Sequence, residues 1–229
     1  MRISRLIGSI NWKYALGEFL LIVVGILVAL AANSWYANRS LRSDEIDYLQ
    51  RIRASLEIDL ENVSRNQLAY ESAVSRLEAL KFHLEARRPY SEELDASFAE
   101  LQFFYGGRLR TSIYESLRAR GLDLISSDEL QFALIELYEE HNAALDRQNG
   151  YVRENSFSQL QPYVRQHFSV DIGKATPYDY DALLDDRYYL NLVGSTVMAR
   201  ESFTLPAYRD AVDAINHVIA LIDEELQAF

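Results

Sequence analysis

The side chains best able to do chemistry are spread thinly along this chain. Its four histidines are His83, His141, His167 and His217. None forms an H-x-x-x-H or H-E-x-x-H pair, in which two imidazoles one helical turn apart grip a metal ion. Glu139-Glu140-His141 comes nearest. A helical Glu-x-x-His site needs its acid three residues before the histidine, and that position is Tyr138. Serines are numerous, yet no G-x-S-x-G, G-x-x-x-x-G-K-[ST] or G-x-G-x-x-G occurs. The absence of cysteine removes disulfides, thiolate metal sites and cysteine nucleophiles, and fits any compartment. Carboxylate pairs such as Asp185-Asp186 and Glu224-Glu225 read as solvated helix surface. The expectation is a protein without catalytic activity, metal or cofactor.

One polar group stands out. Thr111, Tyr114, Glu115 and Arg118 fall on a short helix ahead of Gly121, with Asp123 beyond it. They form a candidate site for a ligand or partner. In the competing reading, Thr111 and Glu115 cap and brace the junction while Leu117, Leu122, Leu124 and Ile125 plug a core. Tyrosine is abundant at 15, and Tyr178, Tyr180, Tyr188 and Tyr189 cluster. Such rings can make an amphipathic recognition surface or fill the inside of a bundle.

The elements that must position these groups begin with an anchor. From Phe19 to Ala32 every residue is apolar or glycine, and the stretch extends back to Tyr14 with one charge, Glu18. Trp12 and Tyr14 flank it on one side, Trp35 and Tyr36 on the other. At a rise of ~1.5 Å per residue, Trp12 to Trp35 covers ~35 Å, which suits a hydrocarbon core of ~30 Å with interfacial belts. Residues 14–36 are therefore expected to be a transmembrane helix. The rival reading is a cleaved signal peptide, since Ala29-Leu30-Ala31 resembles a peptidase site. Glu18 is costly in lipid unless paired or turned toward protein. By steps of three and four it shares a face with Gly25, Ala29 and Ala32, where small residues let two helices approach. That face is a candidate for self-association in the membrane.

Charge suggests the orientation. Arg2, Arg5 and Lys13 make the tail, residues 1–13, purely basic, and carrying such a tail outward opposes the membrane potential. A cytoplasmic tail and an extracytoplasmic domain, residues 37–229, follow. Beyond residue 36 lie 20 basic and 33 acidic residues, a net of −13, which repels phosphate backbones and makes nucleic-acid binding unexpected. Only nine glycines and four prolines punctuate the chain, which favours long helices over sheet.

The helical domain opens on a heptad position that does not slip: Leu49, Leu56, Val63, Tyr70, Leu77, Leu84. Ile46, Leu60 and Val74 accompany it, with polar interruptions at Arg53, Gln67 and Lys81 that argue for a bundle rather than a two-stranded coiled coil. This predicts a helix from about Arg39 to Arg88, ended by Pro89. Ser91 caps a second helix to about Phe104, and Gly106-Gly107 turns the chain. A third covers Ser112 to Arg120, with Gly121 as a left-handed C-cap. Ser126-Ser127-Asp128-Glu129 reads as a capping box opening a long helix that kinks at Pro162. Ser169 to Asp181 is expected to be a loop, with helix from Ala182 interrupted near Leu205-Pro206. The final stripe, Tyr208, Val212, Ile215, Ile219, Ile222, Leu226 and Phe229, needs an apolar partner, most economically the long first helix. The expected fold is all-α, an N-terminal transmembrane helix followed by an elongated antiparallel helical bundle.

Two stretches carry a resemblance. Tyr14-Ala15-Leu16-Gly17-Glu18, continuing through Val24 to Leu30 and on to Asn33-Ser34-Trp35 and Arg39, resembles the anchor signature of a family of bacterial single-pass membrane proteins of unknown function (DUF6090-like). Thr111 to Leu117, then Gly121-Leu122-Asp123-Leu124-Ile125 and Leu130, is similar to that family's central motif. Ala31-Ala32 departs from the pattern, which commonly has polar or larger residues before the asparagine. The resemblance implies a membrane anchor with a helical domain and supplies no activity.

Together these readings point to a membrane-anchored helical interaction or scaffold protein in the bacterial inner membrane. Its partners would be the bilayer and either another protein or a second copy. The alternative is an extracytoplasmic ligand-sensing helical module, and an enzyme of unrecognised type comes third.

Overall fold

The computed structural model describes residues 12–228. Arg2 and Arg5 of the tail and Phe229 of the last stripe lie outside the described residues, as do the side chains of Lys13, Tyr14 and Ala15. The chain forms two compact units, Met1–Asp47 and Tyr48–Phe229, with one helix, α1 (Trp12–Glu85), running through the boundary. The predicted helix at Arg39 therefore has no start of its own: nothing between Ala32 and Asp44 breaks the helical hydrogen bonding, so anchor and amphipathic segment are one element.

In the first unit, the apolar run is long enough to cross a membrane and none of it is buried inside the protein. Phe19, Leu20, Leu21 and Ile22 each keep more than half their surface exposed. Such a helix is stable only where something other than water covers it.

In the second unit the heptad prediction holds. Leu49, Leu56, Val63, Tyr70, Leu77 and Leu84 are all buried, each contributing about 1.5–3 kcal/mol of apolar burial. The polar interruptions are used. Arg53 Nε donates to Asp223 at 2.5 Å, and Gln67 Nε2 donates to Glu71 at 3.2 Å. The remaining helices are α2 (Asp95–Glu100), α3 (Ser112–Arg120), α4 (Asp128–Ile135), α5 (Asn142–Asn155), α6 (Gln161–His167), α7 (Tyr180–Asp185), α8 (Arg187–Ala199) and α9 (Leu205–Gln227). Arg53 pairs with Asp223 and Arg209 pairs with Glu71 at 3.1 Å, so α9 runs antiparallel to α1. Its buried stripe is Tyr208, Ala211, Ile215, Val218 and Ile222. Val212 and Ile219 flank the stripe and pack against the core.

The side chains of α1 feed two cores. Leu49 to Val74 pack with α3, α4, α5 and α9. Leu77, Leu80 and Leu84 pack with α2, α6, α7, α8 and the segment expected to be a loop. That segment is a β-hairpin, β1 (Phe168–Asp171) and β2 (Lys174–Pro177), in register Phe168↔Pro177 to Asp171↔Lys174. Gly173, at φ 71°, makes its turn. Phe168 and Ala175 face inward and are buried, which supplies the packing that four-residue strands need.

Other boundaries also shift for physical reasons. The second helix is capped by Ser91 but ends at Glu100, ahead of Gly106-Gly107. Gly121 stops α3 at φ 117°, ψ 127°, outside the left-handed helical region, with its N–H bonded to Leu117. The N-cap of α4 is Ser127, bonding Leu130 N–H, which places Leu130 rather than an acid at the third helical position and leaves no reciprocal capping box. The helix runs on without interruption through Pro162 and Pro206. Each follows a π-helical turn, Ser156–Leu160 and Arg200–Thr204, whose wider hydrogen-bond spacing absorbs the missing proline N–H. A third π turn covers Glu136–His141, and no proline follows it.

Candidate functional site

The predicted polar group divides. Tyr114 is buried and its ring stacks on Tyr138 at 4.3 Å between centroids. Its hydroxyl donates to Glu139 Oε1 at 3.2 Å, and Arg118 Nη1 reaches the same oxygen at 2.7 Å. Burial, then the neighbouring Glu139 charge, pushes the Tyr114 hydroxyl up to about 12, so it stays protonated at neutral pH. The π turn Glu136–His141 supplies both Glu139 and Tyr138. Thr111 caps α3 through its carbonyl, which accepts from Glu115 N–H at 2.8 Å, and its side chain makes no capping bond. Glu115 is exposed and, among the described residues, makes no hydrogen bond or ion pair with the cluster, though its charge adds to the upward push on Tyr114. The structure thus unites Tyr114 and Arg118 and leaves Thr111 and Glu115 as helix-start residues.

A second polar centre was not anticipated. Arg200, 1% exposed, is the largest fully buried side chain among the described residues. Its Nη2 donates to the carbonyls of Phe103 at 2.7 Å and Glu100 at 3.3 Å. Nη1 lies 3.6 Å from Glu100 Oε1, and Glu100 also pairs with Arg76 and accepts from the Tyr105 hydroxyl at 2.9 Å. Tyr70 lies 5.8 Å from the Arg200 guanidinium and exchanges two hydrogen bonds with the Tyr105 backbone. Tyr208, packed on Tyr70, donates to Asn149 Oδ1 at 2.7 Å and accepts from Gly107 N–H at 3.0 Å. Burial pulls the Arg200 guanidinium below its ordinary range, against the opposing charge of Glu100. Burial and Glu100 push Tyr105 up to about 12. These tyrosines therefore act as hydrogen-bond donors, and the centre joins α1, α2, α5, α9 and the π turn Arg200–Thr204 by charge and hydrogen bonds.

Beside that centre, Gly106-Gly107-Arg108 and one side of α5 enclose an open polar hollow of about 580 Å³. Gly107 leaves little room for a side chain: a Cβ would lie 3.0 Å from Asn66 Nδ2 and 3.3 Å from Tyr208 Cε1. Asn149 Nδ2 fixes the Gly107 carbonyl at 2.6 Å, and Asn66 Nδ2 holds that of Gly106 at 3.0 Å. Arg108 and Arg153 line the hollow and are exposed, and Asp146 stands with them.

The anchor face is open along its length. Glu18, Gly25, Ala29 and Ala32 are all exposed, and nothing lies within 4 Å of a Cβ built on Gly25. Tyr178 and Tyr188 are exposed while Tyr189 is fully buried against Tyr163, so the tyrosine cluster splits between surface and core. Among the described residues, no three His, Asp or Glu side chains are grouped to hold a metal ion. In comparisons with known proteins, no family model, no curated protein and no solved structure matches this chain.

Proposed function

We propose that this chain is a membrane-anchored, non-enzymatic interaction protein, related to the single-pass family its anchor resembles. Its helical domain meets another protein, and the chain self-associates. The carrying observation is the N-terminal part of α1, apolar over a membrane's thickness and uncovered by any other part of the protein. Lipid is the cover that such a helix requires. The small-residue face of Gly25, Ala29 and Ala32 with Glu18 beside it gives two copies a close approach, in which Glu18 escapes lipid by turning toward protein. Exposed Phe103, Phe104, Phe157 and Ile172 on the helical domain support an interaction role.

The membrane is the bacterial inner membrane, with residues 37–229 in the periplasm. Topology is tested by reporter fusions after Phe229, active only outside the cytoplasm if the orientation is correct. Self-association is tested by crosslinking in native membranes. Wild type is expected to give a dimer band that Gly25→Leu abolishes. A wild-type chain that stays monomeric and enriches no neighbour on proximity labelling would count against the proposal. The second reading, a ligand-sensing helical module, is favoured by the polar hollow at Gly106-Gly107.

A further inference from the structure

We infer that the hollow at Gly106-Gly107-Arg108 is an anion site for the phosphate group of a small molecule. The inference stands apart from self-association, because every residue it uses lies in one copy of the second unit.

Four donors carry it. Arg108 and Arg153 both line the hollow, one from the glycine turn and one from α5. Every other hollow-lining charge is a single carboxylate, Asp146. Within a chain of net charge −11, with 34 acidic and 23 basic residues, several arginines elsewhere are drawn into pairs, such as Arg53 to Asp223, Arg118 to Glu139 and Arg209 to Glu71. Among the described residues, Arg108 and Arg153 have no such partner. The turn adds backbone donors. Gly107 N–H is spent on Tyr208 and Leu109 N–H on Asn142. The N–H groups of Gly106 and Arg108, which alternate with them, make no hydrogen bond within the described residues. Two guanidinium groups and a turn with two unspent backbone amides line one open depression, the makings of an anion-binding concavity.

The geometry favours phosphate over carboxylate. The donors come from two segments of the chain, the glycine turn and α5. A tetrahedral phosphate presents three terminal oxygens to them, whereas a planar carboxylate presents two in one plane. Glycine at 106, 107 and 150 keeps the walls free of side chains. At about 580 Å³ the hollow has the size of a small-molecule site. Asp146 repels a bare anion and would accept from a hydroxyl or amine on the rest of the ligand. The chemical class is therefore a phosphate monoester bearing such a donor. The turn is held by Tyr208 and Asn149 of the buried centre, so the site is set in place before ligand arrives.

The test uses the full chain in neutral detergent, titrated with inorganic phosphate by calorimetry and thermal shift at constant ionic strength set with sodium chloride. Succinate provides the carboxylate comparison. Saturable phosphate binding is expected, weakened about tenfold or more in R108Q/R153Q. R108K/R153K, which keeps charge and loses the planar fork, is expected to fall between. Asp146→Asn should tighten inorganic phosphate. Because both arginines are exposed and unpaired, the ligand-free melting temperature of these variants should match wild type. The inference is overturned if phosphate does no more than the chloride control, if R108Q/R153Q binds as well as wild type, or if succinate binds as tightly as phosphate. Self-association in membranes is read separately and is unaffected by any of these results.

Discussion

Arg200 and the pair Arg108/Arg153 belong to the same neighbourhood and do opposite things. Arg200 is buried, bonded to two carbonyls and faced by Glu100. Arg108 and Arg153 are exposed on an open hollow and have no ion pair among the described residues. Tyr208 connects them, packed on Tyr70 beside Arg200 and bonded through its hydroxyl to the Gly107 turn. Burial decides which arginine serves the fold. A guanidinium out of water must be matched internally, whereas one left at the surface without a partner is available to something else.

This contrast can be broken at several points. The largest effect is expected from Arg200→Ala, which leaves Glu100 buried with one cation fewer. Breaking a buried pair costs about 3–5 kcal/mol, read as a lowered denaturation midpoint with unchanged slope. Replacing Arg200 and Glu100 together by methionines should recover part of that loss, since no charge is then stranded. Tyr208→Phe comes next. It removes the acceptor of Gly107 N–H and the donor to Asn149 at a buried site, a loss of about 1–3 kcal/mol, and it should also weaken phosphate binding by loosening the turn.

A smaller effect is expected at alkaline pH. In the folded protein Tyr105 titrates at about 12, above the ordinary tyrosine value of about 10. The protonated form is the one the fold prefers. Its contribution is complete below about pH 10 and is lost as pH rises from there toward the folded value. Tyr105→Phe should flatten that part of the stability profile, and Arg153→Gln should leave it unchanged. The smallest effect is expected from R108Q/R153Q itself, within about 0.5 kcal/mol of wild type. A loss comparable to Arg200→Ala would erase the distinction between the two sites.

The sequence carried the aliphatic part of this fold better than the aromatic part. The heptad Leu49 to Leu84 and the α9 stripe announce their buried faces because helical periodicity depends only on local spacing. The hairpin at Phe168–Pro177 did not, because four-residue strands are too short to show alternation and owe their order to Phe98, Tyr189 and the second core. Pro206 misleads for a related reason: a π turn is decided by tertiary packing, and proline alone predicts a break. Tyr114 and Arg118 are legible as members of one polar group with Thr111 and Glu115, whereas Glu139, which joins them, comes from another helix. Arg200 reads in sequence as ordinary helix surface, and only the distant Glu100 and Phe103 reveal its burial. The Gly106-Gly107 turn was visible as a turn. Its meaning required Arg153 from α5, which no local pattern links to it.

Placement in the membrane and self-association both require the N-terminal helix to remain attached and embedded in lipid. Intact-mass determination of the chain recovered from carbonate-washed membranes tests this most directly. The expected result is a species retaining residues 14–36, found in the membrane pellet and released only by detergent. A mature chain starting at Ala32 and recovered in the aqueous wash would contradict it.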